Sequence, residues 1–71
     1  MNVKELKVEM IRHNENGDDL ANGLGISRQT LSRKMNNKAE FTQKEISAIK
    51  ERYNLMPERV SEIFFADKVS V

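Results

Sequence analysis

Apolar residues recur at intervals of three and four along most of the chain, which is the spacing of one face of an α-helix. No segment shows the strict alternation of apolar and polar residues that marks a half-buried strand. The pattern predicts an all-α fold, a compact bundle of five short helices. The helices are expected at about 3–13, at 17–23, between the caps Ser27 and Asn36, from Thr42 to Tyr53, and from Pro57 to about 65.

Local signals at the helix ends support this assignment. Thr42 and Glu45 have the spacing of a capping box, and Phe41 is placed to pack on Ile46 across that cap. Pro57 suits the first position of a helix, where its missing N–H leaves no hydrogen bond unmade. We therefore expect one domain over residues 1–65, followed by a tail, 66–71, without clear periodicity.

The segment from 17 to 36 has the spacing of a helix-turn-helix. A small residue, Ala21, stands where two helices would meet, and Gly25 follows four residues later, where a tight turn is needed. Ile26 is expected as a buried plug, and Leu31 packs the second helix onto the first. Ser27 is a good N-cap for that second helix, whose outer face carries Arg28, Gln29, Ser32, Arg33 and Asn36.

Charge is distributed unevenly, although the chain of 71 residues has a net charge of only +1. Residues 27–44 carry five basic residues and one acidic residue, a net of +4, whereas residues 1–26 carry three against five, a net of −2. Residues 45–71 carry four against five, a net of −1. A basic block that coincides with the second helix of the motif favours a local anion-binding face.

The stretch from Leu20 to Arg33, LANGLGISRQTLSR, resembles the helix-turn-helix of phage lambda-type repressors and Cro proteins. Its continuation, KMNNKAEFT, is similar to small repressors of phages and prophages in Gram-positive bacteria. The resemblance covers about residues 3–65. It implies a lambda-repressor-like fold and a transcriptional repressor that binds a palindromic operator in double-stranded DNA as a homodimer.

The resemblance also implies a role for individual residues. Arg28, Gln29 and Arg33 correspond to base-reading positions, where arginine pairs with guanine and glutamine with adenine. Contacts to the DNA backbone fall on Ser27, Thr30, Ser32, Lys34, Asn36, Lys38 and Lys44. The chain departs from the family at the start of the first motif helix. Many relatives have a phosphate-binding glutamine there, and this chain has Gly17, Asp18 and Asp19.

The last predicted helix ends in three consecutive apolar residues, Ile63, Phe64 and Phe65. Adjacent helix positions point apart by about 100°, so one core does not accommodate all three equally. They form a candidate dimer interface, with burial inside the monomer as the alternative. The tail 66–71 either adds a strand at such an interface or frays.

The methionine, tyrosine, histidine and cysteine content indicates which residues belong to the core and which kinds of site are not expected. Met10, Met35 and Met56 are expected in the core, as is Tyr53 with its hydroxyl at the edge. A single histidine and the absence of cysteine predict no metal site, and no nucleophile–base couple points to an enzyme.

We expect a cytoplasmic protein of a bacterial host with no cofactor, membrane span or small-molecule effector. An adaptor or antirepressor that uses the same scaffold to bind a protein is the main alternative, and the N-terminal half of a longer repressor is a third.

Overall fold

The structure is a computed structural model that describes residues 1–65. Over this range the chain forms five α-helices and no β-strand. They are α1 (Val3–Arg12), α2 (Gly17–Leu24), α3 (Arg28–Met35), α4 (Gln43–Arg52) and α5 (Pro57–Phe64). Each helix is eight to ten residues long. The predicted all-α architecture is confirmed for this part of the chain, with every helix start within one residue of its expected place.

Side chains at the helix starts supply the hydrogen bonds that the first backbone N–H groups lack. Thr42 and Glu45 form the predicted capping box at α4, with the Glu45 backbone N–H donating to the threonine hydroxyl at 3.1 Å. Asn16 and Asp19 form a second capping box at α2. Ser27 caps α3 by accepting the backbone N–H of Thr30 at 3.0 Å. Short polar sequences thus define where three of the described helices begin.

The helix ends depend on a different backbone property. Within residues 1–65, each connection between consecutive helices contains a residue in the left-handed region. Gly25 takes this role after α2 with a φ of 71°, and Asn14, Asn37 and Asn54 take it in the other connections with φ between 51° and 61°. Glycine pays no Cβ penalty there, and asparagine tolerates the conformation better than most residues.

One hydrophobic core joins the helices. Each described helix contributes one side chain that is completely shielded from solvent: Leu6, Leu20, Leu31, Ile49 and Ile63. Around them lie Met10, Met35, Tyr53, Leu55, Val60 and Phe64, all at most 9% exposed. Since no helix of this length is stable alone in water, this shared core is what stabilises all of them.

Ion pairs connect helices that are distant in sequence. Arg59 on α5 donates through Nε to Glu9 at 2.7 Å and through Nη1 to Glu5 at 2.6 Å, both on α1. Glu9 is only 3% exposed, so its carboxylate depends on this guanidinium. Arg52 at the end of α4 binds both carboxylate oxygens of Glu15, which precedes α2.

The ion pair between Glu15 and Arg52 shifts the pKa of Glu15 and contributes to the shifted pKa of the adjacent Tyr53. Hydrogen bonding from Arg52 holds the pKa of Glu15 below its usual value. The Tyr53 hydroxyl is buried beside this pair, and burial, together with the Glu15 carboxylate, raises the pKa of that hydroxyl. Tyr53 is therefore a core residue, 2% exposed, with its ring stacked on the ring of His13 at a centroid distance of 4.7 Å. A buried, neutral phenol belongs to the core and not to a binding surface.

The structure decides between the two alternatives for the end of the last helix and corrects the expectation for one methionine. Ile63 is completely buried and Phe64 is 7% exposed, because α5 turns both into the core and Phe64 meets the ring of Phe41 edge to face at 5.5 Å. Neither residue presents an interface surface, and Phe65 is partly buried against the same core. Met56 is 66% exposed, since it precedes α5 as its N-cap and does not lie on a helix face.

The two predictions for the tail 66–71, a strand at a dimer interface or a frayed end, concern residues outside the part of the chain that the structure describes. Among residues 1–65, no helix has both the length and the apolar character that crossing a bilayer requires.

Candidate nucleic-acid interface

Helices α2 and α3 are joined by a tight turn. Gly25 adopts the left-handed conformation, and the backbone N–H of Ile26 donates to the carbonyl of Ala21 at 3.0 Å. Ala21 is 3% exposed and Leu31 is fully buried, so the two helices meet closely at these positions. Ile26 is half-buried against the core, a shallower position than the buried plug expected from the sequence. The turn leaves the far side of α3 uncovered.

The uncovered side of α3 is polar. Gln29, Arg33 and Asn36 are exposed and Ser32 is half-buried, at intervals of three and four that place them on one face. Leu31, Lys34 and Met35 occupy the opposite, buried face. A helix with this division presents amide, hydroxyl and guanidinium groups outward on a rigid support.

Hydrogen bonds within α3 order some of these groups. The Ser27 hydroxyl donates to the Thr30 hydroxyl at 2.8 Å while it accepts the Thr30 backbone N–H. The Asn36 amide donates to the Ser32 hydroxyl at 3.4 Å. The Gln29 and Arg33 side chains have neither a hydrogen bond nor an ion pair with another described residue. Their donors and acceptors are available to a ligand.

Arg28, the first residue of α3, points toward the start of α2. Its Nε lies 3.5 Å from a carboxylate oxygen of Asp18, and both side chains are more than half exposed. The guanidinium occupies the space beside Gly17 that a side chain at position 17 would fill. Arg28 is thus on the candidate surface, but at its edge and with an acidic neighbour that the sequence resemblance did not assign to it.

Lys34 does not belong to this surface. Its Nζ donates to Glu45 at 2.5 Å, and both side chains are nearly nine-tenths buried. Burial opposes ionisation of Glu45, yet the hydrogen bonds from Lys34 and Thr42 outweigh it and keep the pKa of that carboxyl below its usual value. The sequence-based assignment of Lys34 to a phosphate contact is wrong, because the ammonium already neutralises a carboxylate that caps α4.

The remaining basic residues of the block lie nearby in the chain. Lys38 and Lys44 are exposed, and neither forms an ion pair with any residue from 1 to 65. Lys38 directly follows Asn37, whose left-handed backbone turns the chain after α3, and its backbone N–H is fixed by the carbonyl of Arg33 at 2.9 Å. Lys44 lies in the first turn of α4. Arg33 on α3, Lys38 in the segment that follows it and Lys44 on α4 therefore carry positive charge that forms no ion pair within residues 1–65.

Two residues of this region were missed by sequence reasoning as site residues. Asp18 and Gly17 were noted only as departures from a family pattern, whereas the structure places both against Arg28. Their separation from Arg28 by about three helical turns of chain hides the contact from any local pattern. Glycine is tolerated at a helix start, so Gly17 alone gave no signal of this contact.

Within residues 1–65, no group of three or more His, Cys, Asp or Glu side chains is arranged to hold a metal ion. Comparison of the chain with protein-family models, with curated proteins and with solved structures gives no match.

Proposed function

We propose that this protein is a sequence-specific DNA-binding repressor of the phage type, in which α2 and α3 form a helix-turn-helix and α3 enters the major groove. The observation that carries the proposal is the exposed polar face of α3, on which Gln29 and Arg33 form no hydrogen bond or ion pair with another described residue. The exposed and unpaired Lys38 and Lys44, which follow α3 in the chain, add positive charge. A major groove is wide enough for an α-helix, and its base edges pair with these side-chain types.

Each group has a distinct role in this proposal. Gln29 pairs with adenine, and Arg28 and Arg33 pair with guanine. Ser27, Thr30, Ser32 and Asn36 contact the backbone of the DNA and fix the register of α3, and Lys38 and Lys44 neutralise phosphates. The buried Lys34 has no part in binding.

The proposal includes a homodimer on a palindromic operator, with half-sites about 34 Å apart. Ile63 and Phe64 are committed to the core, so the dimer contact uses other residues of the surface. Repression follows from occupation of promoter DNA and needs no bound effector. The proposed site of action is the bacterial cytoplasm, where such operators lie.

The experiment that tests the proposal is selection of bound sequences from a random duplex pool, followed by titration of the selected duplex and of random DNA at two salt concentrations. We expect a palindrome to be enriched. Gln29→Ala and Arg33→Ala should each lose about 1–3 kcal/mol on the selected duplex and relax the preference at one base position. Gln29→Ala should bind random DNA almost as wild type does, whereas Arg33→Ala, which also removes a positive charge, should lose clearly less affinity on random DNA than on the selected duplex.

Lysine variants separate phosphate contacts from base contacts. Lys38→Ala should weaken binding to every sequence and reduce the slope of log affinity against log salt by about 1. Lys7→Ala, which removes the same charge from the exposed side of α1, is the matched control and should change neither quantity. Equal losses on selected and random DNA for Gln29→Ala and Arg33→Ala would refute base recognition. A pool without any enriched sequence would refute the repressor and direct the search to a protein partner.

A further inference from the structure

The contact between Arg28 and the start of α2 has a consequence for what this arginine can bind. An arginine side chain has five N–H donors, one on Nε and four on the two terminal nitrogens. Here Nε faces the Asp18 carboxylate at 3.5 Å, so the terminal nitrogens are the donors left for a ligand. Recognition of guanine by arginine uses two parallel donors directed at O6 and N7.

The acidic neighbours also change the electrostatics of the arginine. Asp18 and Asp19 lie in the first turn of α2, and Asp18 is 75% exposed at its side chain. A phosphate approaching Arg28 meets this negative charge, whereas a guanine edge offers neutral acceptors. The pair therefore penalises a phosphate ligand more than a base ligand.

The third part of the arrangement is Gly17, which has no side chain to fill the space next to Arg28. A Cβ built there would overlap the Arg28 guanidinium at Cζ, Nε and Nη2. The guanidinium lies in this gap beside the Asp18 carboxylate, and a side chain at position 17 would displace it. The gap and the carboxylate therefore set where the guanidinium lies before it binds, and a group already near its bound position loses less conformational entropy on binding.

From these observations we infer that Gly17 and Asp18 position Arg28 as a guanine-reading residue and prevent it from acting as a phosphate clamp. The inference rests on the proposed function and names one element of its specificity. Gly17 and Asp18 act through Arg28 and need not touch the DNA bases themselves. The duplex that this site selects has a guanine at the position read by Arg28.

The test uses two variants of the full chain on three duplexes: the selected operator, the same operator with the guanine read by Arg28 replaced, and random DNA. That guanine is the position at which Arg28→Ala loses its preference. Asp18→Asn should raise affinity for random DNA and lower the ratio of operator to random binding by about two- to fivefold, the range measured for exposed ion pairs. Discrimination against the replaced guanine should fall by a similar factor.

Gly17→Ala provides the second, uncharged perturbation. Alanine is the better helix former, so the variant should fold at least as well as wild type. Its Cβ displaces the guanidinium, and discrimination at the same base pair should fall without a change in net charge. In an Arg28→Ala background neither variant should alter base preference.

Matched controls distinguish positioning from bulk charge. Glu51→Gln removes one negative charge from an exposed position on α4. If Asp18→Asn raised affinity for all three duplexes by the same factor as Glu51→Gln, or if Gly17→Ala kept full discrimination, the inference would be overturned while the repressor itself stood. If the pool yielded no preferred sequence, the proposed function would fail first, so the two failures are distinguishable.

Discussion

Replacement of Arg59 by methionine tests how much the ion pair between α5 and α1 contributes to the stability of the fold. The variant leaves the Glu9 carboxylate, with a side chain 4% exposed, without the guanidinium that binds it at 2.7 Å. Removing one partner of a buried pair costs about 3–5 kcal/mol. Arg59 is 20% exposed and Arg12 stays 3.4 Å from Glu9. These two facts reduce the expected loss to about 2–3 kcal/mol.

That loss is large for a domain of this size. A chain of 71 residues has a total stability of about 4–10 kcal/mol. The expected loss corresponds to a decrease in Tm of about 10–20 °C. Urea titration and thermal unfolding followed by far-UV circular dichroism measure both quantities on the same samples.

Two further variants make the result interpretable. Arg12→Met removes the mostly exposed arginine near the same carboxylate and should cost less than about 0.5 kcal/mol. The double variant Glu9→Leu/Arg59→Met removes the buried charge together with its partner and should recover most of the stability lost by Arg59→Met. A loss for Arg59→Met no larger than that for Arg12→Met, or no recovery in the double variant, would refute the electrostatic argument.

Three more predictions concern local structure and pH. Gly25→Ala should lower the free energy of unfolding by about 1–2 kcal/mol because of the left-handed backbone alone, since the space around Gly25 is open. Gly25→Asn should lower it by less than half as much in the same urea titration. Thr42→Ala should cost about 1 kcal/mol by removing the N-cap of α4, and Thr42→Ser should keep most of the stability that the cap provides. Equal losses for the two substitutions at either position would contradict the backbone explanation at Gly25 or the capping explanation at Thr42. Glu15→Gln should cost about 1 kcal/mol at neutral pH. Because Arg52 lowers the folded pKa of Glu15 below its usual value of 4.5, this stabilisation is present above that value and disappears as the pH falls through the folded pKa, so a pH-independent gap between variant and wild type would count against it.

The helix boundaries could be predicted from sequence because they depend on neighbours within four residues. The Thr42–Glu45 capping box, the glycine turn at Gly25 and the cap at Ser27 all lie where the local pattern predicts them. Apolar spacing also identified Leu31 and Tyr53 as core residues. Such features are encoded in a single turn of chain, and the sequence displays them directly.

Contacts between helices could not be predicted in the same way. Lys34 looks like an exposed cation in a basic block, yet a glutamate eleven positions further along neutralises it. Phe64 and Met56 are both apolar, but one is buried by α5 and the other lies exposed before it. Whether an apolar residue is buried, and whether a charged residue is paired, depends on how the helices are arranged in space. The residue type alone does not determine either.

The short length of the helices has a consequence for the effect of mutations in a cell. Helices of eight to ten residues do not persist on their own, so α3 keeps its shape only while the shared core is intact. Leu6 and Ile63 lie on helices that carry none of the candidate interface. A cavity made at either residue lowers the melting temperature, so binding by the α3 surface should be lost just above that temperature and normal below it. Temperature-sensitive alleles are thus expected throughout the core, whereas substitutions on the outer face of α3 should impair function at every temperature.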